Sequence, residues 1–445
     1  MQPAEQRRSA SEPSDTTSGE GVASASAGDR AAARLGIRGD AEVIALVGVA
    51  HGTSHFFHLV LPSLFPWLMR EFGLGFTQAG SLTTAFFVAS GLGQALAGFV
   101  VDRIGARRVL WTGVALLAAA AASLGLARGY AALVGAAVLA GLGNSVFHPS
   151  DFTILNRHVS PSRLGYAFSM HALLGNLGWA TAPVLVTGIA LSAGWRAAAF
   201  ASAAVALATL GLLAARRAAL ADPEGHGGAG PVAGRATPRV SVFDFAREGA
   251  VWMCFLFFLV LAMAFGALQN FSPTVLQRVY HLSLPSAAAS LTFFLLGGGA
   301  GIMLGGVLAT RSEAHERLVA FALVSAALVA LVVASGAIPG WTVGALMSFI
   351  GFCTGLAGPS RDLLVRKAAL SRFGQGSFGR VYGFVYSGSD VGTAVAPLLF
   401  GRLMDRGMFS AVLGGVALLQ GLAVVAALRV GQERSRAPQA RPDQP

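Results

Sequence analysis

Long apolar stretches separated by short polar breaks run along most of this chain. About 20 consecutive apolar residues suffice for an α-helix to cross a bilayer, and the alternating pattern of membrane barrels does not occur. The chain is therefore expected to be an all-α integral membrane protein whose twelve transmembrane helices fall into two groups of six. The predicted spans are residues 43–69, 77–101, 107–127, 130–155, 163–190, 195–215, 248–273, 285–309, 316–336, 340–364, 378–401 and 409–428.

Three polar segments lie outside these two groups of spans: one before them, one between them and one after them. Residues 1–40 are low in complexity and have no apolar stretch of the kind found in signal peptides, so we expect a disordered tail. Residues 216–247 are rich in Gly and Pro and predict a flexible linker. The remaining boundaries give six-helix bundles at residues 41–215 and 248–428 and a second tail at 429–445.

Composition supports the membrane class, and charge predicts an orientation. Hydrophobic residues make up 54% of the chain and charged residues 12%, and the mean hydropathy is +0.63. With both termini in the cytoplasm, 26 of the 32 Lys and Arg residues fall on the inner side, in agreement with the positive-inside rule. We expect a multi-pass protein of the inner (cytoplasmic) membrane. Its net charge of +11 is dispersed over short loops, which argues against nucleic-acid binding.

The second half of the chain repeats features of the first. Matches recur at an offset of 208 residues between spans 2 and 8, and at an offset of 214 between spans 5 and 11. Each half has an even number of spans, so both copies have the same orientation and a pseudo-two-fold axis along the membrane normal is expected. The matches include Thr84 with Thr292, Gly91 with Gly299, Arg103 with Arg311, Gly178 with Gly392, Ala180 with Ala394 and Pro183 with Pro397.

Charge is concentrated between spans 2 and 3, in "GFVVDRIGARRVL". This signature, with the six-plus-six arrangement and the long central loop, resembles the major facilitator superfamily over residues 41–428. The segments "GLGNSVFHPSDF" and "GNLGWATAP" resemble, more weakly, the fosmidomycin-resistance-like branch of drug effluxers. The residues of the signature are Gly98, Asp102, Arg103, Gly105, Arg107 and Arg108.

The resemblance implies a gate at this motif. In the superfamily, the aspartate of the motif clamps the two halves together near the cytoplasmic face when the cavity opens outward. Asp102 occupies the position of that aspartate, so the resemblance implies the same role for it. Its carboxylate is expected to contact the N-terminal end of span 11, where the helix dipole attracts an anion. The alternative is that the charged motif only fixes the orientation of the chain in the membrane. That role requires the basic residues and would not need the acid Asp102.

Span 1 carries His51, His55 and His58 on one face, since their spacing places them within an arc of roughly 60°. Imidazoles titrate near physiological pH, so these side chains are candidates for relaying protons or binding a polar substrate. The alternative is a set of neutral histidines held by hydrogen bonds between helices. No Cys or carboxylate lies in the stripe, so we predict no metal site.

Asp390 lies near the middle of span 11, where the repeat aligns it with Asn176. An ionisable group at the bilayer centre costs about 2.5 to 3.5 kcal/mol on insertion scales, which favours a functional role. Asp390 is the first candidate for proton coupling, and a structural hydrogen bond to Tyr386 or Ser387 is the alternative. The other predicted coupling or substrate-binding residues are Asn176, Tyr386, Gln269 and Asn270.

Charged residues also lie toward the cytoplasmic ends of spans 4 and 10. Asp151 follows His148 and Pro149, and Arg361 follows Pro359. Proline interrupts the helical hydrogen bonds and allows a bend. Asp151 and Arg361 are predicted either to form an ion pair that gates the cavity or to extend to the interface.

Motifs that would indicate other functions are missing from the sequence. It contains no nucleotide-binding G-x-x-x-x-G-K-[ST] and no nucleophile elbow or metal-ligand cluster, so we predict neither an enzyme nor a cofactor. The leading hypothesis is a monomeric, proton-coupled exporter of small, weakly polar or monoanionic drugs or metabolites. The alternatives are a proton symporter that takes up a small organic acid and a non-transporting receptor on the same scaffold.

Overall fold

The computed structural model describes residues 27–221, 249–311, 314–373 and 378–436. These ranges form fourteen α-helices joined by short turns and two single-turn 3-10 helices. The α-helices are α1 (Ala27–His58), α2 (Val60–Phe72), α3 (Phe76–Ile104), α4 (Ala106–Gly125), α5 (Tyr130–Asn144), α6 (Phe147–His158), α7 (Leu164–Ala193), α8 (Trp195–Ala215), α9 (Gly249–Tyr280), α10 (Leu284–Arg311), α11 (His315–Ala334), α12 (Val343–Phe373), α13 (Phe378–Asp405) and α14 (Phe409–Arg436).

Most of these helices are long and apolar enough to cross a membrane. Within the described ranges ten helical segments meet this condition, and there are eleven if α3, which bends by 52° between Gln94 and Leu96, counts as one span. The predicted span at 378–401 is helical and corresponds to α13. Two of the ten segments consist of two helices each, α1 with α2 and α5 with α6.

Both divided segments have a proline at the third position of their second helix. Pro62 occupies this position in α2, and Pro149 occupies it in α6. Proline has no N–H to donate to the carbonyl four residues earlier and is best accommodated in the first helical turn. The helical ladder therefore restarts at Val60 and at Phe147. Other prolines lie inside helices, at Pro66, Pro183, Pro273, Pro359 and Pro397. The interruption predicted at Pro149 is present, whereas α12 continues as one helix through Pro359, where an interruption was also predicted.

Ion pairs identify the two ends of the helix assembly. At one end Asp40 of α1 pairs with Arg163, at 2.5 Å. We call this the terminal end, because α1 begins and α14 finishes there. At the opposite end, which we call the far end, Glu71 pairs with Arg196 at 2.7 Å.

The structure differs from the sequence prediction at the two tails. Residues 27–40 were expected in a disordered tail but belong to α1, and residues 429–436 belong to α14. Both stretches contain Ala, Arg, Gln, Glu or Leu, which favour helix, so an adjoining buried helix extends into them. The remaining tail residues 1–26 and 437–445, and residues 222–247 of the predicted linker, lie outside the described residues.

The main contacts between the first six predicted spans and the last six are those of α3 with α13 and of α7 with α10, and α2 also touches α9. The Thr84 hydroxyl donates to the carbonyl of Ala394 at 2.7 Å, and the Thr292 hydroxyl donates to the carbonyl of Ala180 at 2.8 Å. These four residues are repeat partners, at the offsets of 208 and 214. The repeat in the sequence is therefore a repeated contact in the structure.

The contact between α3 and α13 is closest at the far end. A Cβ added at Gly80 would lie 2.6 Å from the carbonyl oxygen of Pro397, so only glycine allows this approach. Near the middle, a Cβ at Gly91 would lie 3.9 Å from that of Asp390. Beyond it, among the described residues, nothing lies within 4 Å of a Cβ at Gly98. The close approach of α3 and α13 is therefore best defined at the far end.

Candidate functional site

The three histidines of α1 form a column, as their spacing predicts. The ring centroids of His51 and His55 are 4.2 Å apart, and those of His55 and His58 are 5.0 Å apart. His51 is buried and the other two are half-buried. The column ends beside the break between α1 and α2, which lies near the middle of the membrane-spanning segment.

Two glycines of α7 allow that helix to lie directly against the column. A Cβ at Gly178 would lie 2.0 Å from the carbonyl oxygen of Gly52. A Cβ at Gly175 would lie 2.8 Å from both His51 and His55. Because α7 comes so close, His171 and Trp179 on the same helix reach the histidine rings.

A buried carboxylate lies between two of the histidines. Asp151 of α6 is fully buried, at 0% exposure. Its Oδ2 atom is 3.0 Å from Nε2 of His171, with which it hydrogen-bonds, and 3.2 Å from Nδ1 of His51, which is not aligned for a hydrogen bond. Within the described part of the chain Oδ1 has no hydrogen-bond partner. An uncompensated charge is costly in such surroundings, so the cluster needs a proton on the carboxyl or on an imidazole.

His148 links this cluster to the accessible surface. It is the second residue of α6 and is exposed, unlike Asp151 one turn later. Its ring centroid is 5.2 Å from that of His51 and 6.1 Å from that of His171. The helix restart at Pro149 thus places one imidazole at the surface of the helix assembly and a carboxylate in its interior.

Nitrogen atoms of His51, His148 and His171 lie within 4.8 Å of one another, close enough to consider a shared metal ion. A zinc ion is bound by the in-plane lone pairs of imidazoles at about 2.0–2.1 Å. The rings of His51 and His171 are stacked, with centroids 3.5 Å apart and planes inclined by 23°, so their lone pairs run side by side. Stacked rings do not point both lone pairs at one metal ion, and the absence of a metal site stays a prediction.

The hydrogen bonds of His58 define its tautomer. The indole N–H of Trp179 donates to its Nδ1 atom at 3.1 Å, since an indole nitrogen can only donate. Nδ1 is therefore unprotonated, and Nε2 donates to Oδ1 of Asn144 at 3.0 Å. Asn144 also accepts from Ser54 and donates to Ser90. This network joins α1, α3, α5 and α7 around a neutral His58.

Trp179 connects the column to the second half of the chain. Its indole stacks on His55, with centroids 4.1 Å apart, and lies 5.2 Å from the ring of Phe265 in α9. One turn before Trp179, the side-chain amide of Asn176 donates to the carbonyl of Leu295 in α10 at 2.7 Å. Asn176, a predicted site residue, therefore crosses between the halves.

The other predicted amides, Gln269 and Asn270 of α9, are buried but incompletely paired. Asn270 donates through Nδ2 to the carbonyl of Gly266, whereas its Oδ1 atom and Nε2 of Gln269 have no partner among the described residues. Gln269 lies one turn after Phe265 and shares its helix face. These unpaired atoms are available to a polar ligand.

The structure separates Asp390 from the histidine column. Asp390 lies exposed on α13, beside α3, and makes no hydrogen bond or ion pair with the described residues. The alternative contact with Ser387 is not formed, because that hydroxyl donates to the carbonyl of Phe384. The side chain of Tyr386 lies outside the described residues.

The predicted ion pair between Asp151 and Arg361 is not present in this state. Asp151 is enclosed by imidazoles, and the guanidinium of Arg361 lies 4.6 Å from the ring centre of Phe258. The sequence placed Asp151 near the cytoplasmic interface because it lies late in span 4. The break before α6 and the packing of that helix on α1 bury it instead.

The charged motif forms the turn between α3 and α4 at the terminal end. Gly105, which immediately precedes α4, has φ of 89°, a region that favours glycine. Arg107 donates to the carbonyl of Arg217 at 3.2 Å and lies 5.7 Å from the ring centre of Trp111. Asp102 is exposed and, within the described ranges, has neither a hydrogen bond nor an ion pair.

Comparison with known proteins agrees with this architecture. The fosmidomycin resistance protein of Escherichia coli (strain K12) is 25% identical over 361 residues, covering 80% of this chain and 86% of that protein. The gallate transporter of Pseudomonas putida is 26% identical over 398 residues, covering 80% and 87%. A bacterial homologue of the human lysosomal transporter Spinster, solved in an inward-facing and occupied conformation, has a TM-score of 0.70 at 14% identity and covers 91% of this chain and 98% of that one.

The structural neighbour shows a shared fold, and the sequence relatives are transporters or resistance proteins. The family described as Major Facilitator Superfamily matches residues 45–378, most of the chain. The protein is thus a multi-pass membrane protein and not an enzyme, and the resemblance seen in its sequence is confirmed. The chain belongs to the Major Facilitator Superfamily.

Proposed function

We propose that this protein is a secondary active transporter that moves a small molecule across the cytoplasmic membrane by alternating access. Its twelve spans form two six-helix bundles related by a pseudo-two-fold axis, and the terminal end lies in the cytoplasm. The repeated threonine contact at Thr84 and Thr292 supports the symmetry. The distribution of 26 of 32 Lys and Arg residues supports the orientation. Rocking of the two bundles about a central site then exposes that site to each side in turn.

In this scheme the structure is the inward-facing state. The α3–α13 interface is in close contact at the far end, where Gly80 lies against the carbonyl of Pro397. Asp102, which the family resemblance assigns to the cytoplasmic gate of the outward-facing state, is exposed. A closed far end is what an inward-facing state requires.

The observation that carries the proposal of proton coupling is the fully buried Asp151 between His51 and His171. With one proton the cluster is neutral as a whole, and without it the cluster carries one negative charge. The charged form is tolerated only while water reaches the cluster, and His148 supplies that access at the open side. The bundles therefore close over the cluster at lowest cost when it is protonated.

His58 couples the proton to the substrate. The column brings the rings of His51, His55 and His58 within about one ring width of each other. A proton that arrives at Nδ1 of His58 makes this atom a donor, and it can no longer accept the N–H of Trp179. The released indole lies beside Phe265 at the boundary of the halves, so the wall of the substrate site changes with protonation.

Export in exchange for protons is the direction we propose. The name of the fosmidomycin resistance relative supports efflux, whereas that of the gallate transporter supports the second candidate, uptake of a small organic acid with protons. The unpaired amide atoms of Gln269 and Asn270 suit a small, weakly polar or monoanionic substrate. Asp390 remains the alternative coupling residue.

Ligand screening followed by flux measurements tests this proposal. A panel of drugs and organic acids is first screened by thermal shift in detergent at acidic and alkaline pH. The ligand found is then followed in everted vesicles. Accumulation of the ligand inside the everted vesicles that requires an acidic lumen and is abolished by an uncoupler supports export. Proton-driven uptake of the ligand into whole cells supports symport. Binding without movement in either system would support a receptor, in which Asp390→Asn and His55→Ala leave function intact.

A further inference from the structure

A second acid, Asp405, lies at the far end of the same α3–α13 interface. It is the last residue of α13, beyond the predicted span at 378–401. Its Oδ1 atom accepts the backbone N–H of Phe76 at 2.5 Å. Its Oδ2 atom accepts the backbone N–H of Thr77 at 3.0 Å and the Thr77 hydroxyl at 2.5 Å. One carboxylate therefore makes three hydrogen bonds to the start of α3.

These bonds supply the side-chain acceptors that the N-cap residue of α3 cannot offer; within α3 itself, Gln78 accepts only the N–H of Gly75, at 3.0 Å. The first N–H groups of a helix have no partner within it, and the preceding side chain usually accepts one of them. Here the preceding residue is Gly75, which has no side chain. The cap comes instead from the other half of the chain, 329 positions away. A negative charge at this end of a helix is also favoured by the helix dipole.

The carboxyl is held in its charged form. Partial burial by itself would raise the pKa of Asp405, but the hydrogen bonds from Thr77 and Phe76 outweigh it and lower the pKa below its usual value. The contact is thus a charge-assisted set of hydrogen bonds between two helices that the proposed cycle must separate.

The symmetry-related interface does not have this contact. By the offsets of 214 and 208, Asp405 corresponds to Leu191 at the end of α7, and Thr77 corresponds to Pro285 at the start of α10. Leucine has no acceptor and proline has no N–H, so this hydrogen bond cannot form there. At the far end, this carboxylate contact is therefore present in the α3–α13 interface and not in its symmetry counterpart, the α7–α10 interface.

We propose that Asp405 is the far-end gate residue of the transporter. It holds α13 on α3 while the cavity is open at the terminal end, and its hydrogen bonds break when the far end opens. Asp102 lies at the other end of α3 and is exposed in the state in which Asp405 is engaged, so we expect the two acids to be engaged in alternation. This inference rests on the proposed alternating access, but it requires neither proton coupling nor a known substrate.

Distances between spin labels at the far end test the gate. Labels at Arg128→Cys and Ala337→Cys, both exposed on far-end turns of opposite halves, are introduced after Cys254 and Cys353 have been replaced. In lipid nanodiscs we expect one dominant short distance. Asp405→Ala should increase the ratio of long to short distances by at least about tenfold, equivalent to about 1.4 kcal/mol.

Two milder variants and one control accompany this measurement. Asp405→Asn removes the charge and Thr77→Val removes only the hydroxyl bond, so each should give a smaller increase in the long distance. Glu71→Gln is the matched control, because this far-end carboxylate bonds to Trp195 and Arg196 within its own half. It should leave the distances unchanged. The milder variants keep the test informative if Asp405→Ala does not fold.

The outcomes separate the gate from the function on which it rests. If the unsubstituted protein opens with ligand or pH but the Asp405 variants have the same distances as it does, the gate assignment is wrong. The same conclusion follows if Glu71→Gln opens the far end as much as Asp405→Ala does. If no condition or variant changes the single distance, alternating access itself is contradicted.

Discussion

Replacing Asp151 by asparagine removes the charge of the buried cluster and almost none of its volume. Asp151 is fully buried and touches His51 and His171 through one oxygen atom. The amide keeps the shape of the side chain but cannot share a proton with the imidazoles. The variant therefore isolates the ability of the site to bind a proton from its packing.

The expected cost in stability is small. Removing one member of a buried ion pair commonly costs about 3–5 kcal/mol, because the other charge is left uncompensated. Here the partners are imidazoles, which can release a proton and become neutral. The remaining loss is that of one hydrogen bond, about 1 kcal/mol. We expect the apparent Tm to fall by no more than about 3 °C.

The expected effect on transport is large. One pH unit stores about 1.4 kcal/mol per proton, which in one-for-one exchange sustains about a tenfold ratio of substrate across the membrane. In proteoliposomes with that gradient, the unmodified protein should approach this ratio, and Asp151→Asn should stay near a ratio of one. Counterflow of labelled against unlabelled substrate, which needs no gradient, should persist.

Asp390→Asn is the matched control, since it also neutralises a carboxylate within a predicted span. We expect it to retain the gradient-driven ratio. A tenfold ratio in Asp151→Asn would refute the role of the buried cluster. If only Asp390→Asn loses that ratio, Asp390, which the sequence favoured, is the proton-coupling residue.

Three further substitutions test the packing around the site. Trp179→Phe keeps the stacked ring but leaves Nδ1 of His58 without its donor, so we expect transport to become less dependent on pH, measured as the pH profile of counterflow. Gly178→Ala places a Cβ 2.0 Å from a backbone oxygen of α1 and should lower folded yield on size-exclusion chromatography, whereas Gly188→Ala on the same helix meets nothing within 4 Å and should not. Thr84→Val removes a hydrogen bond of about 1 kcal/mol between α3 and α13, and spin-label distances should then show more of the outward-facing state.

The positions of the membrane spans follow from the sequence, because hydrophobic length is a local property. The helical period likewise puts His51, His55 and His58 on one face wherever the helix lies. The repeat offsets, read from single residues such as Thr84 and Thr292, also correspond to contacts in the structure. These predictions needed no knowledge of how the helices pack.

The site itself depends on packing between distant helices. Position along span 4 suggested an interfacial Asp151, but α6 restarts after the break and lies against α1, which places that carboxylate among the histidines. Nothing in the sequence around His148 and Asp151 connected them to His171, which lies on another helix. Asp405 carries no sequence signal at all, because its partner is the backbone of a glycine-led helix in the other half. The sequence by itself determined which segments are long and apolar enough to cross a membrane and which residues share a helix face, and only the tertiary structure decided which of those faces meet.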